Sequence, residues 1–153
     1  MNGHESERLR MRYIYPVALT LDVEGRYLAD ARDIPEAVTD GESVQSALQN
    51  MADALGAALA GYSLESRSLP LPSKPHAGEY LVPVNPLVAA KLALRSAMRE
   101  QGVSNVRLAE LLIVSESAVR RLVNPDHLSR LDGVVAALTV LGRRLVIEDL
   151  VAA

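Results

Sequence analysis

"YIYPVALTLDVEGRYLADAR", Tyr13 to Arg32, alternates. Tyr15, Val17, Leu19 and Leu21 fall on one side of a two-residue repeat, the period of a strand with one buried face. "VEGR" (Val23–Arg26) carries a glycine suited to a tight turn, and "YLADAR" then reads as the antiparallel partner. Pro16 has no N–H for a ladder, which predicts an edge or a bulge there. A short third strand is expected near Ala37 to Thr39, after the Ile34-Pro35 break. From Ser43, a candidate N-cap, the apolar positions Val44, Ala47, Leu48, Met51, Leu55, Ala58, Leu59 and Tyr62 recur every three or four residues. That repeat is an amphipathic helix packing on the sheet, so the front of the chain is α+β.

Beyond Tyr62 the text turns rich in proline and serine, with short apolar runs "SLPLP" and "EYLVPV" that predict a loop and one or two edge strands closing a first domain over residues 11–84. Asn85 caps a new helix with Pro86 at its first position, and Gly102 stops it. Residues 85–153 read as short helices, a second and smaller domain. Its most specific stretch is "SNVRLAELLIVSESAVRRLVNP", Ser104 to Pro125. Asn105 or Ser104 caps one helix, a tight turn follows at Ile113 and Val114, Ser115 caps the next helix, and Pro125 ends it. Ala109 is small enough for close helix approach, while Val114, Val119 and Leu122 are apolar where the pair must seat on the preceding helix. Glu116, Ser117, Arg120 and Arg121 are left for the outside, side chains able to address base edges or phosphates. A compact helical bundle with no DNA would show the same periodicity and is the plain alternative. A further helix, Leu131 to Leu141, is followed by a strand-like "RRLVIED", an apolar ending that could pair with a second copy.

Composition bounds the function. The 153 residues suit one ordinary domain or two small ones, and 49% hydrophobic against 23% charged residues is the balance of a folded protein. There are no cysteines, and His4, His76 and His127 are widely separated, so thiolate or histidine metal sites are not expected and no cofactor is called for. No apolar run approaches the roughly 20 residues of a membrane span, and the charged opening "MNGHESERLR" does not resemble a signal peptide, which predicts a cytoplasmic protein. Charge is unevenly spread: residues 11–85 hold five basic against ten acidic groups, a net of −5, while residues 86–153 hold nine against seven, a net of +2. Such a split suits a front half that meets something basic and a back half that meets an anion, although chance gives the same in two small domains.

The crowded acids raise the question of catalysis. Asp22 and Glu24 flank a hairpin turn, Asp33 precedes Ile34-Pro35, and Asp40 and Glu42 flank Gly41 before the helix, all positions where acids commonly serve turns or helix starts. The long helix offers only Asp53, so it lacks the inward carboxylates of two-metal chemistry. No serine stands in a "G-x-S-x-G" elbow. Binding is therefore the favoured role, with no catalytic residues and no metal ligands.

Tyr15 to Leu55, with its tyrosine-proline, "D-x-E-G" hairpin, "D-x-P-E-A-x-T-x-G" and alanine-rich helix, resembles the N-terminal domain of HicB antitoxins. Ser104 to Pro125 resembles the helix-turn-helix of phage-repressor-like (XRE/Cro) proteins, and with "LGRRLVIE" it is similar to the HicB subgroup with a repressor-like tail. One departure stands out: those turns usually hold glycine where this chain has Ile113, so the turn must either avoid a positive φ or strain the backbone. The resemblance implies a partial ribonuclease H-like first domain covering a HicA-like, RNA-cleaving toxin, and an all-α second domain binding the double-stranded promoter DNA of its own operon. Residues 1–10 would be a disordered extension before Met11, where such proteins usually begin. The expected DNA-facing residues are Arg120 and Arg121 for bases or phosphates, Ser115 and Ser117 for phosphate, Glu116 for a cytosine amine, and Arg107 and Arg130 for the backbone. For the toxin only a region can be named, Asp22, Glu24, Asp30 and Asp33, with a solvated surface as the alternative. A homodimer or homotetramer follows from two half-sites. A stand-alone transcriptional regulator with a protein- or ligand-binding front domain is the other function this chain could serve.

Overall fold

The computed structural model describes residues 10–151. The extension expected over residues 1–10 therefore falls, apart from Arg10, outside the described residues. The class is α+β, in the order β1 (Ile14–Leu21), β2 (Tyr27–Asp30), β3 (Val38–Gly41), α1 (Val44–Leu64), β4 (Tyr80–Pro83), α2 (Pro86–Gln101), α3 (Asn105–Leu112), α4 (Glu116–Val123) and α5 (Leu131–Val140). The chain divides into two compact units, one of residues through Leu55 with Leu69–Val84, the other of Gly56–Ser68 with the chain from Asn85 onward.

In the first unit the four strands form an antiparallel sheet in the order β3-β2-β1-β4. The hairpin register pairs Leu21 with Tyr27 and Ala18 with Asp30. Its turn is closed by Asp22, whose Oδ1 accepts from the N–H groups of Glu24 at 2.8 Å and Arg26 at 2.9 Å, while Gly25 takes φ +80°. Pro16 sits in an inner strand, not at an edge. The reason it is tolerated lies in the register: β1 pairs with β2 only over Ala18–Leu21 and with β4 only over Ile14–Val17, so at Pro16 one flank is locally unpaired. The third strand is displaced toward Gly41 from the expected Ala37 to Thr39.

Tyr15, Val17, Ala29 and Val82 are buried, as are Ala47, Met51 and Leu55 at four-residue steps on α1. Burying Met51 or Leu55 in full contributes roughly 1.5–3 kcal/mol each. Leu21, at the far end of the same alternating face, is exposed, because the ladder with β4 stops at Val17. Ser43 caps α1, its Oγ accepting from the Ser46 N–H at 3.0 Å while Ser46 Oγ accepts from the Ser43 N–H at 3.0 Å, a reciprocal pair at the helix entry. Gly41 is there for space: a Cβ on it would lie 2.4 Å from the Ala47 backbone nitrogen and 2.6 Å from Ser46 Oγ. The glycine of the "T-x-G" motif lets β3 run directly into the first turn of α1.

The stretch between α1 and β4 is strapped down by two acids and an arginine. Arg32 reaches both carboxylate oxygens of Glu79 at 3.1 Å, and Asp33 accepts from the N–H of Ser73 at 2.8 Å and from its hydroxyl. Tyr15 adds a third tie by donating its phenol to the Pro70 carbonyl at 2.7 Å, and burial pushes that phenol's pKa well above the usual tyrosine value.

In the second unit four helices share one apolar interior. Ala90, Leu94, Ala97 and Met98 of α2, Leu108 and Ala109 of α3, Val119 and Val123 of α4, and Val134, Ala137 and Leu138 of α5 are buried together. Asn85 caps α2 through its side chain, Ser104 rather than Asn105 caps α3, and Ser115 caps α4.

The helix ends repeat a single device. At Gly102 the N–H groups of Gly102 and Val103 return to Arg99 and Met98; at Gly142 those of Gly142 and Arg143 return to Thr139 and Leu138. The same paired bonds close α3 at Ile113 and Val114, onto Glu110 and Ala109, with Ile113 at φ +57°. These are Schellman closures, which call for a left-handed residue. The turn at Ile113 thus takes the positive φ, at a cost of about 1–2 kcal/mol for a residue that is not glycine.

Two expectations fail here. Val114 does not seat in the core: it is 44% exposed, because the left-handed step at Ile113 turns the chain outward before Ser115 starts α4. "RRLVIED" forms no strand, and among the described residues beyond Gly142 there is no regular element. A strand needs a neighbouring edge to take its N–H and C=O groups, and this segment is paired with none.

Candidate functional site

The outer surface of α4 is the first candidate. Val119 and Val123 hold its inner side in the core, and Glu116, Ser117, Arg120 and Arg121 all face solvent. Glu116 and Arg120 approach only to 3.9 Å across one turn, so the arginine is not committed to its neighbour. Ser115 is spoken for in part: its Oγ accepts from the Ala118 N–H at 3.1 Å as the cap, which leaves its own proton for another acceptor. Arg121 and Arg130 line one open groove with Val114, Ala118, Leu122 and Leu128. Arg130 stands 3.5 Å from Asp132, and Arg107 lies on α3 in an exposed pair with Glu110 at 3.1 Å. The structure therefore brings Arg121 and Arg130 together, keeps Glu116, Ser117 and Arg120 on the same short helix, and sets Arg107 on the preceding one.

Two residues that hold α4 in place were not singled out from the sequence. Lys91 is completely buried, and its ammonium shares its three protons among four oxygens within hydrogen-bond distance: the carbonyls of Arg121 at 3.0 Å, Asn124 at 2.9 Å and His127, and Ser129 Oγ at 2.8 Å. One turn further along α2, Arg95 donates to the Val123 carbonyl at 3.1 Å and to Ser63 Oγ at 2.7 Å. The last carbonyls of a helix lack partners within the helix and carry its negative end, so two cations stacked on α2 satisfy both needs of α4. Burial lowers the pKa of both groups from the ordinary values. The available signal was the i, i+4 spacing of two basic residues on a helix otherwise read as apolar, and it says nothing of which carbonyls they would meet.

The second candidate is the acidic front. Asp22 serves the turn through its carboxylate, as described above. Asp33 is largely covered, its side chain 10% exposed and bound to Ser73, so it acts inside the unit. Glu24 and Asp30 are exposed. Asp30 lies in a cross-strand row between Ala18 and Val38, and the next row runs Thr20, Leu28, Asp40. Leu28 and Val38 are both exposed, so this face of the sheet mixes apolar and acidic groups. Asp40 is paired with Arg26 at 2.7 Å, which holds its carboxyl below the ordinary value. Among the described residues no group of three or more His, Cys, Asp or Glu is placed to hold a metal ion. No described helix is long and apolar enough to cross a membrane.

A sheet with one long helix and an acidic open face, followed by a set of capped helices, is the architecture to be compared with known proteins. Residues 14–93 match the family described as the HicB-like antitoxin of bacterial toxin-antitoxin systems, a match that ends within α2. The chain is also 34% identical over 131 residues to Antitoxin HicB of Escherichia coli (strain K12), covering 86% of this chain and 95% of that protein. It is 36% identical to Antitoxin HicB 2 of Photorhabdus laumondii subsp. laumondii, over 86% of this chain and 92% of the relative. With Antitoxin HicB of Pseudomonas fluorescens (strain Pf0-1) the identity is 32%, over 92% of this chain and 97% of the relative. The chain belongs to the HicB-like antitoxin family.

Proposed function

We propose that this chain neutralises a small, basic, HicA-like RNA-cleaving toxin through its sheet unit, and represses its own operon by placing α4 in the major groove of promoter DNA. The observation that supports the second half is the state of α4: a short helix with a serine cap, a polar and basic outer side, a buried inner side, and a C-terminus clamped by Lys91 and Arg95. That is what a rigid groove-reading element of a helix-turn-helix requires, with α3 crossing behind it. Arg120 and Arg121 contact bases or phosphates, Ser115 and Ser117 phosphate, Glu116 a cytosine amine, and Arg107 and Arg130 the backbone.

For the toxin the supporting features are charge and the open sheet face. A front region at −5 is complementary to a protein that grips RNA, and complementary fields steer encounter. Glu24, Asp30, Leu28 and Val38 form the docking surface in this reading, with Asp22 shaping the hairpin. The strand order β3-β2-β1-β4 with one helix after β3 supports a partial ribonuclease H-like description of the unit. The protein works in the cytoplasm as a binder with no chemistry of its own, and as a dimer or tetramer, since one such helix reads only half of a two-fold site.

The experiment is promoter binding at several salt concentrations, beside capture of the protein encoded by the adjacent gene. Replacing Arg120 and Arg121 together with alanine should weaken promoter binding at least about tenfold and flatten its salt dependence by up to two contacts, leaving toxin capture intact. Unchanged promoter affinity would sink the assignment. Promoter binding with no captured neighbour would favour a stand-alone regulator.

A further inference from the structure

Helix α1 is unbroken from Val44 to Leu64, yet its residues beyond Leu55 belong to the other unit: Gly56–Ser68 group with the helices from Asn85 onward. The end of α1 is firmly built. Ser66 takes φ +56°, and the N–H groups of Ser66 and Arg67 return to the carbonyls of Ser63 and Tyr62, the same paired closure found at Gly102 and Gly142. Arg67 then lies 3.9 Å over the Tyr62 ring. Ser63, one residue before the last of this helix, accepts the Nε proton of Arg95 on its Oγ at 2.7 Å, and Nη1 of the same arginine donates to the Val123 carbonyl of α4 at 3.1 Å.

That carbonyl is the least protected of the set that ends α4. Arg121 has Lys91 and the Ser129 hydroxyl, and Asn124 has Lys91 and the His127 N–H. Val123 has Arg95 alone among the described residues. A guanidinium is planar and rigid, so an oxygen that fixes Nε also fixes the direction in which Nη1 points. Burial has taken part of the water from this cation and lowers its pKa, so a lost oxygen is not replaced for free. From this relay we propose that Ser63 is a positioning residue for the groove-reading helix, aiming Arg95 at the end of α4, and that the last turns of α1 are a working part of the DNA-reading unit. The proposal rests on the DNA-binding reading above, to which it adds a residue from the helix that follows the sheet strands.

The test uses the full chain and two substitutions of opposite local effect. Ser63→Ala removes the acceptor while placing the best helix former in α1, so the helix itself is not weakened. Ser63→Thr keeps a hydroxyl but is the poorer helix former. Promoter affinity should fall about fivefold in Ser63→Ala, with the melting temperature equal to or above that of the parent, and should stay within about twofold in Ser63→Thr. The slope of affinity against salt should not change, because Ser63 touches no phosphate. Amide exchange in the last turn of α4 should quicken in Ser63→Ala. Arg95→Met should lose affinity too, and adding Ser63→Ala to it should cost nothing more. Unchanged affinity in Ser63→Ala, losses that multiply in the double variant, or a flattened salt slope would overturn the positioning role. A parent chain that ignores the promoter would sink the DNA-binding reading instead, and α4 exchange in Ser63→Ala would then decide whether the relay holds the helix.

Discussion

Lys91 on α2 donates its ammonium to the backbone carbonyl of Arg121, thirty positions later in the chain, at 3.0 Å. The same residue whose side chain is offered outward on α4 is thus held from behind through its main chain. Replacing Lys91 with methionine keeps the packing volume but takes the ammonium away from the His127 carbonyl and leaves Arg121 and Asn124 with only their second donors, the Ser129 hydroxyl and the His127 N–H. The expected loss is about 2–4 kcal/mol of helical-unit stability, seen as a lower midpoint in urea. Promoter affinity should fall by at least about tenfold where the unit is still folded, and toxin capture should hold. A variant as stable as the parent would show the clamp to be idle.

Ile113 presents the opposite sign. Its side chain is 91% exposed and its backbone left-handed, so glycine there gives up almost no burial and relieves the strain. Ile113→Gly should stabilise the protein by about 0.5–1 kcal/mol after the entropy of glycine in the unfolded chain is counted. Ile113→Ala, which keeps a Cβ, should gain little. Thermal melting of both variants distinguishes relief of strain from loss of an apolar side chain.

Gly41→Ala is expected to be costly. The added Cβ meets backbone, the Ala47 nitrogen at 2.4 Å, and cannot be accommodated by a side-chain rotation alone. Shifting β3 away from α1 should destabilise the sheet unit by about 1–3 kcal/mol or more. Hydrogen exchange at Val38–Gly41 and in the first turn of α1 would report the loss locally.

The Arg32–Glu79 strap makes the first unit sensitive to acid. The Arg32 guanidinium, and then the His76 backbone N–H, hold the Glu79 carboxyl below its ordinary value of 4.5. A depressed carboxylate means the unfolded chain takes the proton first, so the contribution is present above about 4.5 and is lost as pH falls through the lower folded value. Asp40, lowered by Arg26, acts in the same direction. Melting temperature should therefore fall more steeply below pH ~4.5 in the parent than in Glu79→Gln, which lacks the titrating group. Parallel curves would remove the strap from the acid response.

Local features were read well because local chemistry sets them. Ser43, Ser104, Ser115 and Asn85 each cap a helix through their own side chains, and Gly102 and Gly142 end helices where a left-handed residue is needed. The hairpin could be traced from alternation and Gly25. Val114 faces outward because of the left-handed dihedral of Ile113 before it, which a hydrophobic period does not carry. The strand-like Arg143–Asp149 has the composition of a strand, but composition does not supply a partner.

By itself the amino-acid order determined the helix caps and stops, the hairpin and the apolar side of each helix, since caps, turns and hydrophobic periods act over a few neighbours. Tertiary structure alone decided the long-range ties: Asp33 taken into the Ser73 loop rather than offered to a partner, and Lys91 and Arg95 turned inward onto the end of α4. A buried charge settles where backbone carbonyls from distant segments converge to receive it, and that convergence exists only once the helices have packed.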